Sequence, residues 1–291
     1  PMISYAQNQE DVVLQRLTRF VEKGAYVDVG AAHPVIHNVT YSLYLAGWRG
    51  VNIEPMMSEA KMLREQRPED VTFQVAAGSH PGSLTLYVAP MENRGATTSD
   101  PAVVERYVSE GQVFETTEVT VARVDSMVTA AGLTEIHVLK IDVEGAEKSV
   151  LEGCSLGKMR PWVIVIEATR PNSPEDASSE WQPLILEQGY VLTLFDGLNK
   201  FFVRDDLPHI AAMVSVPANV FDHWVSHELV ETRSTLDRSS KDAQMFVESL
   251  AEEIKSLAER VDGAEKYATW LEVLLHKATG WIPKRARSTV D

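Results

Sequence analysis

Short apolar runs that stop at an acid or a glycine, each followed by a helical stretch, recur along most of the chain and constrain its fold more than any other feature. Ala25 to Gly30, Val51 to Glu54, Val71 to Ala77, Leu84 to Val88, Glu118 to Val124, Ile136 to Ile141 and Trp162 to Ile166 read as strands. Residues 56–66, 146–153 and 181–188 read as helices, the last two stopped by Gly153 and Gly189. Apolar runs of four to six residues belong to strands covered on both faces, so the pattern predicts an α/β fold of parallel βα units. Tyr190 to Phe195 and Lys200 to Val203 read as a closing strand pair around Asp196-Gly197. Ahead of the first strand, a polar opening leads into a helical pattern of Val12, Val13, Leu17, Phe20 and Val21 that Gly24 stops. The polar stretch 89–117 reads as a mobile insertion or lid.

Composition removes several classes of function. The 291 residues carry 27 Lys+Arg against 42 Asp+Glu, a formal net charge of −15, which argues against a dedicated nucleic-acid binder. Cys154 is the single cysteine, so neither an intramolecular disulfide nor a cysteine-based zinc site is available. No apolar run is long enough to span a bilayer, and the start lacks the basic-then-apolar pattern of a secretory signal; the expected compartment is the cytoplasm.

Three strand ends hold the candidate chemistry. Val27-Asp28-Val29-Gly30-Ala31-Ala32 runs from a strand into small residues, a turn that lets a ligand approach backbone N–H groups. It lacks the G-x-G-x-x-G cradle of a dinucleotide fold, which counts against an NAD-dependent oxidoreductase. Glu54 ends the next strand, where a carboxylate in a doubly wound sheet faces a ribose. A small-residue turn followed by such an acid suits a nucleoside without a diphosphate, and S-adenosylmethionine fits that description. Asp142 reaches the same sheet edge at the end of Leu139-Lys140-Ile141, followed by Glu144-Gly145, while Glu167 and Asp196 end later strands. Asp142, Glu167 and Asp196 could hold a hard divalent cation such as Mg²⁺ through oxygen ligands. They could instead orient a substrate hydroxyl or contact the cofactor ammonium. Glu147 reads as solvent-facing on the following helix, and Met56, Met57 and Met62 read as helix packing.

Together these segments resemble a known family. Ser4-Tyr5-Ala6-Gln7 with Glu10-Asp11, Tyr26 to Ala31, Asn38-Val39-Thr40-Tyr41, Gly47 to Pro55, Leu139 to Gly145 and Asp196 to Val203 are similar, in order, to the FkbM family of S-adenosylmethionine-dependent methyltransferases. Where that family usually reads Asn-Thr-Tyr, Val39 is interposed here. The resemblance covers roughly residues 3–205. It implies a Rossmann-like class I methyltransferase sheet, usually seven-stranded, and O-methylation of a sugar, glycolipid or related natural-product scaffold. It further implies that Asp28, Gly30 and Ala31 line the methionine part of the cofactor, with Asn38 in the neighbouring cofactor loop. Glu54 would bind the ribose, and Ala76 and Ala77 would lie near the adenine. Gln7 and Glu10 would close over the cofactor, and Asp142 would face the reaction centre.

A sugar hydroxyl needs help to act as a nucleophile at neutral pH. Either His33 or His37 takes its proton, or Mg²⁺ acidifies it, with Glu144 as base or metal ligand. Residues 89–117 and 205–230 are expected to shape the acceptor pocket.

The methyltransferase-like region is expected to span 1–230, with a helix over 231–276 and a basic tail over 277–291 that includes Lys277, Lys284, Arg285 and Arg287. Ala243, Val247, Leu250, Ile254, Leu257, Val261, Ala264, Ala268, Leu271 and Leu275 recur at an unbroken 4,3 spacing. A 3.5-residue repeat predicts a coiled coil, and hence a homo-oligomer, a dimer, through 243–275. The other reading is a long amphipathic helix packed on its own domain. A non-catalytic nucleoside-binding module organised by the coiled coil is the alternative to an enzyme.

Overall fold

The structure, a computed structural model, describes residues 1–90, 96–171 and 173–280. It divides into two compact units, Pro1–His227 and Glu228–Asp291. The first unit opens with β1 (Met2–Ser4), α1 (Glu10–Gln15), β2 (Ala25–Val29), α2 (Tyr41–Leu45), β3 (Arg49–Ile53), α3 (Met57–Gln66) and β4 (Val71–Phe73). There follow β5 (Ala76–Ala77), β6 (Gly82–Val88), α4 (Pro101–Ser109), β7 (Glu115–Ala122), α5 (Val124–Ala130) and β8 (Val138–Ile141). It closes with α6 (Glu147–Glu152), α7 (Leu156–Met159), β9 (Val163–Glu167), α8 (Gln182–Leu186), β10 (Tyr190–Phe195), β11 (Asn199–Arg204), α9 (Pro208–Met213) and β12 (Trp224–Ser226). The described residues of the second unit belong to α10 (His227–Gly280).

Seven strands form the main sheet in the order β10-β11-β9-β8-β2-β3-β4. The five from β9 to β4 are parallel, as the buried apolar runs predict, but β11 is antiparallel to both β9 and β10, so the sheet is mixed. The tight Asp196-Gly197 connection imposes the β10–β11 pairing: a turn of that length joins only antiparallel neighbours. Asp196 Oδ1 accepts the N–H of Leu198 and of Asn199 within it.

The expected strand Val71 to Ala77 is two strands in two sheets. β4 pairs with β3, whereas β5 pairs with β7 in a separate sheet ordered β5-β7-β6. The 89–117 insertion contains α4, which the sequence reading did not anticipate. Asp100 caps it by accepting the Ala102 N–H, and Pro101 starts it. Tyr107 on its inner face is buried with Ala89, Ala96, Val103 and Phe114.

Side chains alternate across the main sheet with period two. Val27, Val29, Leu139, Ile141, Ile164, Ile166 and Phe202 pack on one face with Val128, Leu151 and Ile185 of α5, α6 and α8. Tyr26, Val138, Val163, Val165, Phe201 and Val203 pack on the other with Leu14, Leu43 and Ile210 of α1, α2 and α9. That second face also carries Asp28, Asn52 and Lys140, which the register sets side by side. Buried polar groups in such a place need partners. Lys140 Nζ lies 3.3 Å from Asp28 Oδ1, Thr40 Oγ1 donates to Asp28 Oδ2 at 2.7 Å, and Asn52 Nδ2 donates to Asp70 Oδ2 at 3.0 Å.

Candidate active site

Strand register brings the site together. Val29 pairs with Ile53 on one side and Ile141 on the other, and Ile141 pairs with Ile166. The residues that follow, Gly30, Glu54, Asp142 and Glu167, therefore stand in a row along the carboxyl edge of the parallel strands, where open α/β sheets bind ligands. The close approach of β2 and β8 depends on Gly30. Its φ is +74°, and a Cβ there would lie 1.8 Å from the Asp142 carbonyl oxygen.

A cavity of about 360 Å³ opens at this edge, within the size range of small-molecule sites. Of the residues singled out from sequence, Gly30, Glu54, Ala76, Ala77, Asp142 and Glu144 line it. Glu54 is almost wholly buried; Oε2 accepts the Ala32 N–H at 2.9 Å and Oε1 the Met56 N–H at 2.8 Å. Each oxygen keeps acceptor capacity, so the carboxylate can take two further hydroxyl donors. Burial pushes its pKa up to about 7, against the pull of those two N–H groups. Ala76 and Ala77 belong to β5, and Leu84, Leu86 and Val121 of the same small sheet give the cavity an apolar wall. Thr97 and Ser99 contribute from the insertion, whose Thr98 Oγ1 donates to the Glu144 carbonyl at 2.6 Å.

Asp142, Glu144 and Glu167 form an acidic cluster, with one carboxylate oxygen from each lying within 4.8 Å of the others. Burial, then the neighbouring carboxylates, raises the pKa of both Glu144 and Glu167. Glu147 is buried rather than solvent-facing, because its Oε1 accepts the N–H groups of Val143 and Gly145 and closes the turn that carries Glu144. Lys140 is the nearby cation: its Nζ lies 3.5 Å from Asp142 Oδ2 and donates to the Gly30 carbonyl at 2.7 Å. Burial opposes its charge, but Asp28 and Asp142 more than compensate and hold its pKa above the usual range.

The remaining sequence candidates stand elsewhere. Asp28 lies one pleat short of the edge, fully buried against Lys140 and Thr40. Ala31 is buried beside the cavity wall without forming part of it. Asn38 organises the loop after β2. Its Nδ2 donates to the carbonyls of Ala31 and His33, and its Oδ1 accepts from Thr40 N and Tyr41 N at the start of α2. The interposed Val39 is buried in the apolar core. His33 Nδ1 accepts the N–H groups of Val35 and Ile36, and burial lowers its pKa; His37 is exposed with a φ of +54°. Neither histidine lines the cavity. Gln7 is exposed, while Glu10 Oε1 accepts from Asn199 Nδ2 at 2.5 Å. Asp196 caps its own turn and is outside the acidic cluster, where Glu144 stands instead. None of residues 205–230 lines this cavity.

Sequence reasoning missed Met56, Glu59, Ser79, His80, Leu84 and Ser149 as cavity residues. Met56 faces the cavity and Met57 is exposed, so neither is the helix packing expected of them.

A mainly parallel βα sheet with a cavity and carboxylates along its carboxyl edge has the architecture of the Rossmann-like class. The methyltransferase FkbM domain model matches residues 28–192, and the chain belongs to that family. As a member it is a methyltransferase that uses S-adenosylmethionine. No curated protein matches the chain. Among solved structures it is similar to a TehB-like SAM-dependent methyltransferase from Corynebacterium glutamicum, with 8% identity, 67% of this chain and 87% of that chain covered, and a TM-score of 0.36. It is also similar to a putative RNA methyltransferase from Pyrococcus horikoshii, with 13% identity, 68% and 82% coverage and a TM-score of 0.35. Likeness at that level says nothing about the acceptor.

Proposed function

We propose that the protein transfers a methyl group from S-adenosylmethionine to a hydroxyl of a sugar, a glycolipid or a related natural product. The observation that carries this reading is the row of Gly30, Glu54 and Asp142 along one cavity edge, continued by the acidic cluster. Glu54 accepts the ribose hydroxyls, the small-residue turn at Gly30 admits the methionine part, and Ala76 and Ala77 leave room for the adenine. Bound there, S-adenosylmethionine supplies a methyl group on an activated sulfonium leaving group.

Transfer then depends on positioning and on removing the hydroxyl proton. The carboxylates of Asp142 and Glu144, at the cavity wall, suit that task better than His33 and His37, which lie away from it. Burial and like charge raise the Glu144 pKa to about 9, so near neutral pH Glu144 mostly carries its own proton and can take the hydroxyl proton only after losing it. Three clustered carboxylates also fit a hard divalent cation. Asp142, Glu144 and Glu167 would hold Mg²⁺, which would lower the acceptor pKa.

Calorimetry with S-adenosylmethionine tests the cofactor site, and absence of binding by the wild-type chain overturns the reading. Mass spectrometry of glycans and glycolipids incubated with the protein tests the acceptor class, with one added methyl expected per product. Asp142→Ala is expected to lower turnover at least ~100-fold. Undiminished turnover in EDTA removes the metal while leaving the methyl transfer intact.

A further inference from the structure

We infer that α10 is one strand of a parallel, in-register, two-stranded coiled coil formed with a second copy of this chain. The helix is continuous over 54 residues, about 80 Å at 1.5 Å per residue. Side chains from 235 to 277 are exposed, including Val247, Leu250, Ile254, Leu257, Val261 and Leu271 of the repeat. A helix of this length with an apolar seam along it is stabilised in water mainly by burying that seam.

Residue type along the seam bears on strand number. In heptad register the a positions are Val247, Ile254, Val261, Ala268 and Leu275 and the d positions Ala243, Leu250, Leu257, Ala264 and Leu271, so the central heptads combine β-branched a with leucine d. β-Branched residues at a with leucine at d are the combination that favours parallel dimers over trimers and tetramers.

The flanking positions agree. In a parallel pair, each g residue faces the e residue five positions later on the other strand. Arg260 then meets Glu265 of the second copy twice over by symmetry, and Phe246 meets the small Ala251. In an antiparallel pair centred on the same seam, g faces g, and Arg260 meets its own copy with like charge. The charge pattern therefore favours parallel pairing, and the second copy is the occupant that supplies the complementary carboxylate.

Sedimentation equilibrium of the full-length chain tests the pairing, with a mass twice the 32.3 kDa of one chain expected. A monomer at all concentrations overturns the proposal, as does a trimer or tetramer. Charge reversal then tests direction. Arg260→Glu is expected to weaken dimerisation about 3- to 10-fold, and Arg260→Glu combined with Glu265→Arg to restore it. Unchanged association of Arg260→Glu alone is the antiparallel result, because one like-charge contact replaces another, and it overturns the parallel assignment. As an independent readout, Leu250→Cys is expected to cross-link to its own copy on mild oxidation, with the wild-type chain as the control for the buried Cys154. In an antiparallel coil the two 250 positions lie far apart and no such cross-link forms.

Discussion

In the proposed cofactor site, Glu54 is the single side chain that would couple binding to pH. Burial holds its pKa near 7 in the free protein, above the ordinary carboxylate value of 4.5. At pH 6 it is mostly protonated, and its full capacity to accept two ribose hydroxyls appears only when the proton leaves. Binding is thereby linked to proton release, so affinity for S-adenosylmethionine should rise from pH 6 to pH 8 and level off above the pKa. Glu54→Gln should bind about 10- to 100-fold more weakly at pH 8 and lose this pH dependence, as titration calorimetry at several pH values will register. Asp28 teaches the opposite lesson. By type and neighbourhood it looked like a cofactor ligand, yet a strand turns alternate residues to opposite faces. One position before Val29, its carboxylate faces the α1 and α2 layer and meets Lys140. A linear motif does not show that offset of one residue.

Between elements, the parallel strand ends are the most constrained part of the site. Gly30→Ala would drive a methyl group into the Asp142 carbonyl and force an L side chain into a left-handed backbone. The expected cost is more than about 3 kcal/mol, read as a lower thermal midpoint or loss of soluble protein. Most of the main sheet was legible because strands buried on both faces leave continuous apolar runs. The break between β4 and β5 was not, since the alternation of Val71, Phe73 and Val75 with Thr72 and Gln74 continues through it while the hydrogen bonds pass from β3 to β7. For the same reason Leu84, Leu86 and Val121 went unrecognised as cavity residues. Their role follows from the fold of the small sheet, and no local pattern announces it. Glu147 was misread because helical spacing alone cannot reveal that the preceding turn folds back onto its carboxylate.

At the scale of the molecule, the chain divides into two units at residue 227. The structure explains why the first unit needs the residues just before α10. Arg16, largely buried, donates to both Asp222 oxygens and to the carbonyls of Met213, Val216 and Pro217. A chain ending at His227 should therefore melt within about 2 °C of the full-length first-unit transition. A chain ending at Ala218 should melt about 5–15 °C lower, because it strands the guanidinium without its carboxylate. Differential scanning calorimetry of the two truncations separates these outcomes.

β1 and β12 lie side by side in parallel, Met2 opposite Trp224 and Ser4 opposite Ser226, so a strand made well before the main sheet is held by one made after it. During translation the opening segment must wait, unpaired, until almost the entire first unit has left the ribosome. The helix that follows is then still emerging or within the exit tunnel. Closure of β1 on β12 thus precedes completion of α10, and the proposed pairing with a second copy would be a late event in the birth of each chain.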